Sequence, residues 1–136
     1  MEVQIAALCD SAADYNGKLC VLGAFDTIGV QQLPAVHPHC AIALRVKFTG
    51  EDEGRHTMKV SLIDEDGRSL LPKPIPVIEI QVRLPENMFF CSNNLVMNLQ
   101  GLEFKKTGQY SIDFTMDDRM IARIPLQVVL LQKPPQ

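Results

Sequence analysis

Tryptophan is absent from this chain of 136 residues, and the other aromatics are scarce, with two Tyr and six Phe. The core must therefore rest on Leu, Ile, Val and Met. Long apolar runs are missing too, since none approaches the roughly 18 residues that a membrane-spanning helix needs. Neither charge sign dominates: 13 basic residues stand against 16 acidic ones, for a net charge of −3. Nothing resembles the basic stripe that neutralises phosphates, which argues against nucleic acid as a partner. The segment from Met1 to Asp10 has no basic stretch ahead of its apolar residues, so no secretory signal is expected. The chain is read as cytoplasmic and off the membrane.

Other absences bear on chemistry. The four cysteines, Cys9, Cys20, Cys40 and Cys91, include no Cys-x-x-Cys pair and have apolar neighbours. They are expected as free, buried thiols that pack like small hydrophobes; the alternative is a Cys9–Cys20 bridge across the first turn. There is no Gly-x-Ser-x-Gly elbow, no phosphate-cradling glycine loop and no cysteine with a convincing histidine partner. No segment carries a helical period over about twelve residues.

What the chain does have is alternation. Tyr110, Ile112, Phe114 and Met116 alternate with Ser111, Asp113, Thr115 and Asp117, and Ile124, Leu126, Val128 and Leu130 repeat the pattern. Period two belongs to strands with one wet and one buried face. The polar turn at Asp117-Asp118-Arg119 joins the two runs into a hairpin. A second hairpin joins His39–Thr49, with Cys40, Ile42, Leu44, Val46 and Phe48 inward, to His56–Asp64, across the glycine-flanked turn Gly50–Gly54. Further strands are expected at 3–9, 18–25, 77–84 and 95–99. Gly23 marks a bulge or a close backbone approach. Asp10–Gly17 is expected to turn the chain, Asp26–Pro38 to connect, and the prolines at 72, 74 and 76 to exclude a central strand. Met88-Phe89-Phe90-Cys91 is read as an apolar plug over one end of the core. Short strands separated by turns give a single domain over 1–136, an antiparallel β-sandwich of about eight strands, with residues 131–136 as a flexible tail.

The string Asp14-Tyr-Asn-Gly-Lys-Leu-Cys-Val-Leu-Gly-Ala-Phe-Asp-Thr-Ile28, with the closing Gly108-x-Tyr-x-Ile-x-Phe hairpin, resembles an uncharacterised family of small bacterial proteins, a domain of unknown function. That resemblance covers nearly the whole chain. It implies an immunoglobulin-like β-sandwich and carries no activity and no site residues. The Gly-x-Tyr element is similar to a strand of such sandwiches in which a tyrosine hydroxyl caps a nearby loop, a role that would fall to Tyr110.

Carboxylates gather in four places: Asp10 with Asp14, Glu51-Asp52-Glu53, Asp64-Glu65-Asp66, and Asp117-Asp118. If strands alternate strictly up and down, the turns at 10–17, 50–54 and 117–119 share one end, and that at 64–67 lies at the other. Oxygen-rich loops can hold calcium, but Asp is also common in turns because it satisfies local backbone donors. His37, His39 and Cys40 form the one His/Cys cluster, too few for a structural zinc site, with His56 and Cys91 not held near it by sequence. Val128-Val129-Leu130-Leu131 is apolar on both faces, so either the chain itself or a partner must cover its outer side. The reading is a non-enzymatic binding or assembly module that recognises a protein partner, or itself, through loops or a sheet face. A metal-assisted hydrolase or calcium-binding module on the acidic loops is the alternative, and a ligand pocket near Met88-Phe89-Phe90 is a third. No catalytic, cofactor or metal residue is assigned.

Overall fold

The period-two pattern extends further than the turn signals indicate. A computed structural model describes residues 1–132 and places nine strands there. They are β1 (Glu2–Tyr15), β2 (Lys18–Ala24), β3 (Thr27–Val30), β4 (Ala35–Thr49), β5 (Gly54–Ile63), β6 (Ile78–Val82), β7 (Phe90–Phe104), β8 (Gly108–Met116) and β9 (Arg119–Leu130). One sheet has the order β2-β1-β4-β7 and the other β3-β9-β8-β5-β6. Every pairing is antiparallel except β3 with β9, which run parallel from Thr27–Gln127 to Val30–Leu130.

The sheets pack through the residues that alternation marks as apolar. Ile42, Leu44 and Phe48 of β4 meet Met58 and Leu62 of β5 and Ile112, Phe114 and Met116 of β8 in one core cluster. Phe48, Phe114 and Phe104 are fully enclosed, so half of the phenylalanines lie at the centre of the packing. Asp113 on the outer face of β8 is buried but directly opposes Arg123 of β9. The guanidinium grips both carboxylate oxygens, at 2.8 and 2.9 Å, the bidentate geometry that offsets desolvation best. That ion pair holds the Asp113 carboxyl below its ordinary range. Tyr110 donates its hydroxyl to the Lys106 carbonyl at 2.7 Å, the loop-capping role expected of it.

Four expectations change. The Asp10–Gly17 turn shrinks to Asn16-Gly17, both at positive φ (51° and 81°), and Asp10 to Tyr15 continue β1. Beyond Cys9 the strand leaves β4 and pairs only with β2. The resulting hairpin lies on the outer face of the first sheet, where Ala12 and Leu19 cover Cys9, Ala41 and Ala43. Gly23 is the close approach anticipated: a Cβ there would sit 2.6 Å from an Asp10 carboxylate oxygen. Second, β4 begins at Ala35 and includes Pro38. Its β1 partner departs at Ala41, so a missing N–H is tolerated there. The short strand β3 likewise forms inside the expected connection.

Third, β7 runs fifteen residues rather than five and starts within the presumed apolar plug. Phe89 is 90% exposed, so the plug does not exist. Fourth, the expected hairpin of β4 and β5 does not form: the two strands lie in different sheets, and the 3-10 turn at Gly50–Asp52 carries the chain from one to the other. At the last strand, Leu130 and Leu131 stay about half exposed, while the edge of β9 is taken by the chain itself. β3 pairs along it, and the Leu131 side chain packs over Gly29, where a Cβ would meet it at 2.8 Å. Leu131 also donates its N–H to the Val30 carbonyl at 2.7 Å, so the start of the supposed tail is fixed. Residues 133–136 of that tail lie outside the described residues.

Candidate functional site

The acidic turns separate by strand direction. Gly50–Asp52 forms a single 3-10 turn between β4 and β5, and Asp117-Asp118 closes the β8–β9 hairpin with φ values of 49° and 65°. Both lie at one end, as strand parity predicts, because Met58 pairs with Met116. Asp64-Glu65-Asp66 lies at the other end against the β7–β8 connection, where Glu65 accepts from the Gln109 N–H at 2.8 Å. The expected third member of the first group does not join it. Asp14 sits on the sheet face instead, accepting from the Gly17 N–H at 2.9 Å and the Asn94 amide at 3.1 Å.

The chain's own donors already engage these carboxylates. Asp52 accepts from the Met1 amino group at 2.8 Å and the Thr49 N–H at 2.9 Å, and the ammonium bond holds its carboxyl below the usual range. Asp64 accepts from the Asp66 and Arg68 N–H groups, both at 2.9 Å, and is also lowered, chiefly by Arg68. Asp117 accepts from the Thr57 N–H at 2.9 Å and from His56. Among the described residues no three His, Cys, Asp or Glu side chains converge as a metal cage would require.

His56 is the one histidine that the fold puts to structural use. Its Nδ1 faces the Asp117 carboxylate and its Nε2 faces the Asp52 carbonyl. Two acceptors call for two donors, and only imidazolium offers both. The Asp117 bond raises the His56 pKa, and His56 in turn lowers that of Asp117. The ring also stacks on Phe48, with centroids 6.2 Å apart. No local sequence signal marks this residue, since Asp117 is 61 positions away. His37 lies against the Phe25 ring and His39 is exposed, while Cys40 faces the core, so the His/Cys cluster is not assembled.

The cysteines are all free, but only Cys9 and Cys40 are buried; Cys20 is exposed and Cys91 is half-buried. Burial pushes the Cys40 thiol up to about 11. Cys9 pairs with Ala24 at the open end of the hairpin and Cys20 with Ala13 nearer its turn, so the two stand four positions apart along the ladder and the bridge between them does not form.

The same end carries an apolar tip. Phe90 pairs with Thr49 at the start of β7, and the preceding loop is tied to the 3-10 turn by the Leu84 N–H, which donates to Glu53 at 3.3 Å. Met88 is 51% exposed, Phe89 90% and Phe90 48%. Lys47 sits 4.9 Å above the Phe90 ring, and exposed Arg83, Glu86 and Asn87 flank the tip in sequence. Polar neighbours on both sides, Glu86-Asn87 and Ser92-Asn93-Asn94, were the available signal for a projecting rather than a buried segment.

At the opposite end a cleft of about 760 Å³ opens between the 64–72 segment and the β7–β8 connection. Arg68, Lys105 and Lys106 line it together with Asp64 and Glu103, so cations outnumber carboxylates by only one. Tyr110 at its wall is committed to the Lys106 carbonyl, and the cleft presents no nucleophile–base pair.

A two-sheet, all-β sandwich with a projecting apolar tip is thus the class that fold and surface define. The chain belongs to a family of unknown function, DUF6941, whose pattern matches residues 4–129. No curated protein matches it. Among the described residues no helix is long and apolar enough to cross a membrane.

Proposed function

We propose that this protein is a non-enzymatic binding or assembly module of the bacterial cytoplasm, acting through protein–protein contact. The observation that carries the reading is Phe89, 90% exposed between two half-exposed apolar neighbours. Exposed aromatics grouped at a tip and rimmed by charge resemble the anchors that dominate protein interfaces. The β3–β9 parallel pair and the Tyr110–Lys106 bond favour an immunoglobulin-like type of sandwich, a scaffold that presents binding loops at its ends. Affinity purification at native expression level, comparing the natural chain with Phe89→Asp, tests the reading. A specific protein should be recovered with the first and lost with the second. Equal recovery with both rejects the tip as the recognition element.

A further inference from the structure

The two sheets have four edges, and the fold treats them unequally. β3 has four residues and β6 five, and β2 has seven, with Gly23 at positive φ near its end. β7 is also an edge strand, and it has fifteen residues. Its only hydrogen-bonded partner strand is β4, and no other backbone bond involves residues 90–104 among the described residues. Natural edges are usually blunted by lysine, proline, shortness or a covering segment. Between Phe90 and Phe104 there is no Lys, Arg or Pro, and the single charge is Glu103. The inward row also remains partly open at this lip. Cys91, Leu95 and Met97 are half-buried, while Phe48, Leu44 and Ile42, their β4 partners, are at most 1% exposed.

We infer that β7 is a self-association edge, on which a second copy of this chain pairs antiparallel about a twofold axis near Val96. This rests on the assembly reading above and names its partner. The chemistry of the strand fits its own reverse. A twofold pairing keeps each residue on its own face, so residues opposite one another are an even number of positions apart. Centred on Val96, the register sets Leu95 against Met97 on the inner face. On the outer face it sets Asn94 against Asn98 and Ser92 against Gln100. Apolar meets apolar at 95 and 97, amide meets amide or hydroxyl at 94 with 98 and 92 with 100, Asn93 opposite Leu99 is the one mixed pair, and no ionised side chain faces another over 92–100. The two four-stranded sheets become one continuous sheet, and the half-open Leu95 and Met97 are covered. The 70–72 segment, which shares the cleft with residues 100–102, sets the limit of the free edge.

Light scattering after size-exclusion chromatography over a concentration series, with amide hydrogen exchange on the same samples, tests the pairing. The natural chain should form a dimer, with β7 amides gaining protection as concentration rises. Val96→Lys, which sets two ammonium groups side by side on the axis, should weaken the dimer by at least about tenfold, while Val96→Thr keeps it. Asn98→Lys, at an exposed position, should also weaken it and guards against a folding defect in the first variant. A natural chain that stays monomeric at the highest concentration overturns the inference and leaves the partner reading to its own purification test. A dimer untouched by both lysine variants but lost in Phe89→Asp also overturns it, transferring self-association to the tip.

Discussion

β4 and β7 are neighbours in one sheet, equal in length and paired from Ala35–Phe104 to Thr49–Phe90, yet they live in different environments. β4 is enclosed on both faces. Cys40, Ile42 and Leu44 enter the sandwich, and Ala41 and Ala43 lie under the β1–β2 hairpin, all at most 1% exposed. β7 has a partner on one side only, and its inner row is half open. Small residues on the outer face of β4 let the hairpin lie close, whereas the same face of β7 carries Ser92, Asn94 and Asn98. Identity of length and pairing does not make two strands equivalent. What lies above each face and beside each edge decides how much a residue contributes.

The widest separation should appear on truncating the facing partners Ile42 and Met97. Ile42→Ala leaves a cavity in a fully enclosed site and should cost about 2–5 kcal/mol. Met97→Ala at the open lip should cost roughly 1 kcal/mol, because water already reaches the side chain. Urea unfolding monitored by fluorescence or circular dichroism gives both numbers. Equal losses would mean that the lip is as closed as the centre, against the half-buried state of Leu95 and Met97.

A smaller effect concerns the hairpin that covers β4 and reaches Asn94 of β7. Arg45 fastens the hairpin to the sheet, donating to Gln4 at 3.0 Å, the Gly17 carbonyl at 2.9 Å and Asn94 at 2.7 Å. Asn94 adds bonds to the Gly17 carbonyl and to Asp14. Arg45→Ala should cost about 1–2 kcal/mol and should loosen the hairpin before the rest of the sheet. Hydrogen exchange should accelerate over residues 10–22 while the β8 amides remain slow. Uniform acceleration would show that the hairpin opens only with global unfolding.

Sequence pattern revealed the parts of this molecule governed by period two and by local turn chemistry. The β8–β9 hairpin and the Tyr110 cap are legible because neighbours in sequence fix them, and strand parity gives the shared end of the 50–54 and 117–118 turns; the β4–β5 hairpin is misleading, because a short turn can carry the chain from one sheet to the other as readily as along one ladder. The hairpin over Ala41 and Ala43 is not legible, because nothing local says that β1 changes partner at Cys9. The acidic residues at 10 and 14 therefore looked like turn carboxylates, although they belong to a strand. Met88-Phe89-Phe90 projects against expectation for a related reason: apolarity predicts burial on average but does not say which residues the remaining surface must display. The length of β7 was hidden by Asn93, Asn94 and Asn98, which are poor strand formers that β4 holds in register. The ion pair of His56 and Asp117 joins two turns that only the assembled sheet brings together.

That ion pair sharpens the contrast at the strands' common end. Phe48 of β4 is fully buried with His56 stacked over it, while Phe90 of β7 is half exposed beneath Lys47. The His56 cover depends on pH. Because the folded pKa of His56 lies above its ordinary 6.5, its stabilisation is complete below that value and is lost as pH rises through the folded pKa. Asp117 acts in the opposite sense: its folded pKa lies below the ordinary 3.8, so its contribution is present above that value and is lost on acidification through the folded one. The pair is therefore strongest between about pH 3.8 and 6.5. The midpoint Tm should fall modestly from pH 6 to pH 8.5, and His56→Gln should flatten that fall, since the amide keeps a donor but cannot titrate. Phe90→Ala should leave the pH dependence unchanged. An identical slope in the natural chain and in His56→Gln would place the titration elsewhere and remove the distinction between the two rings.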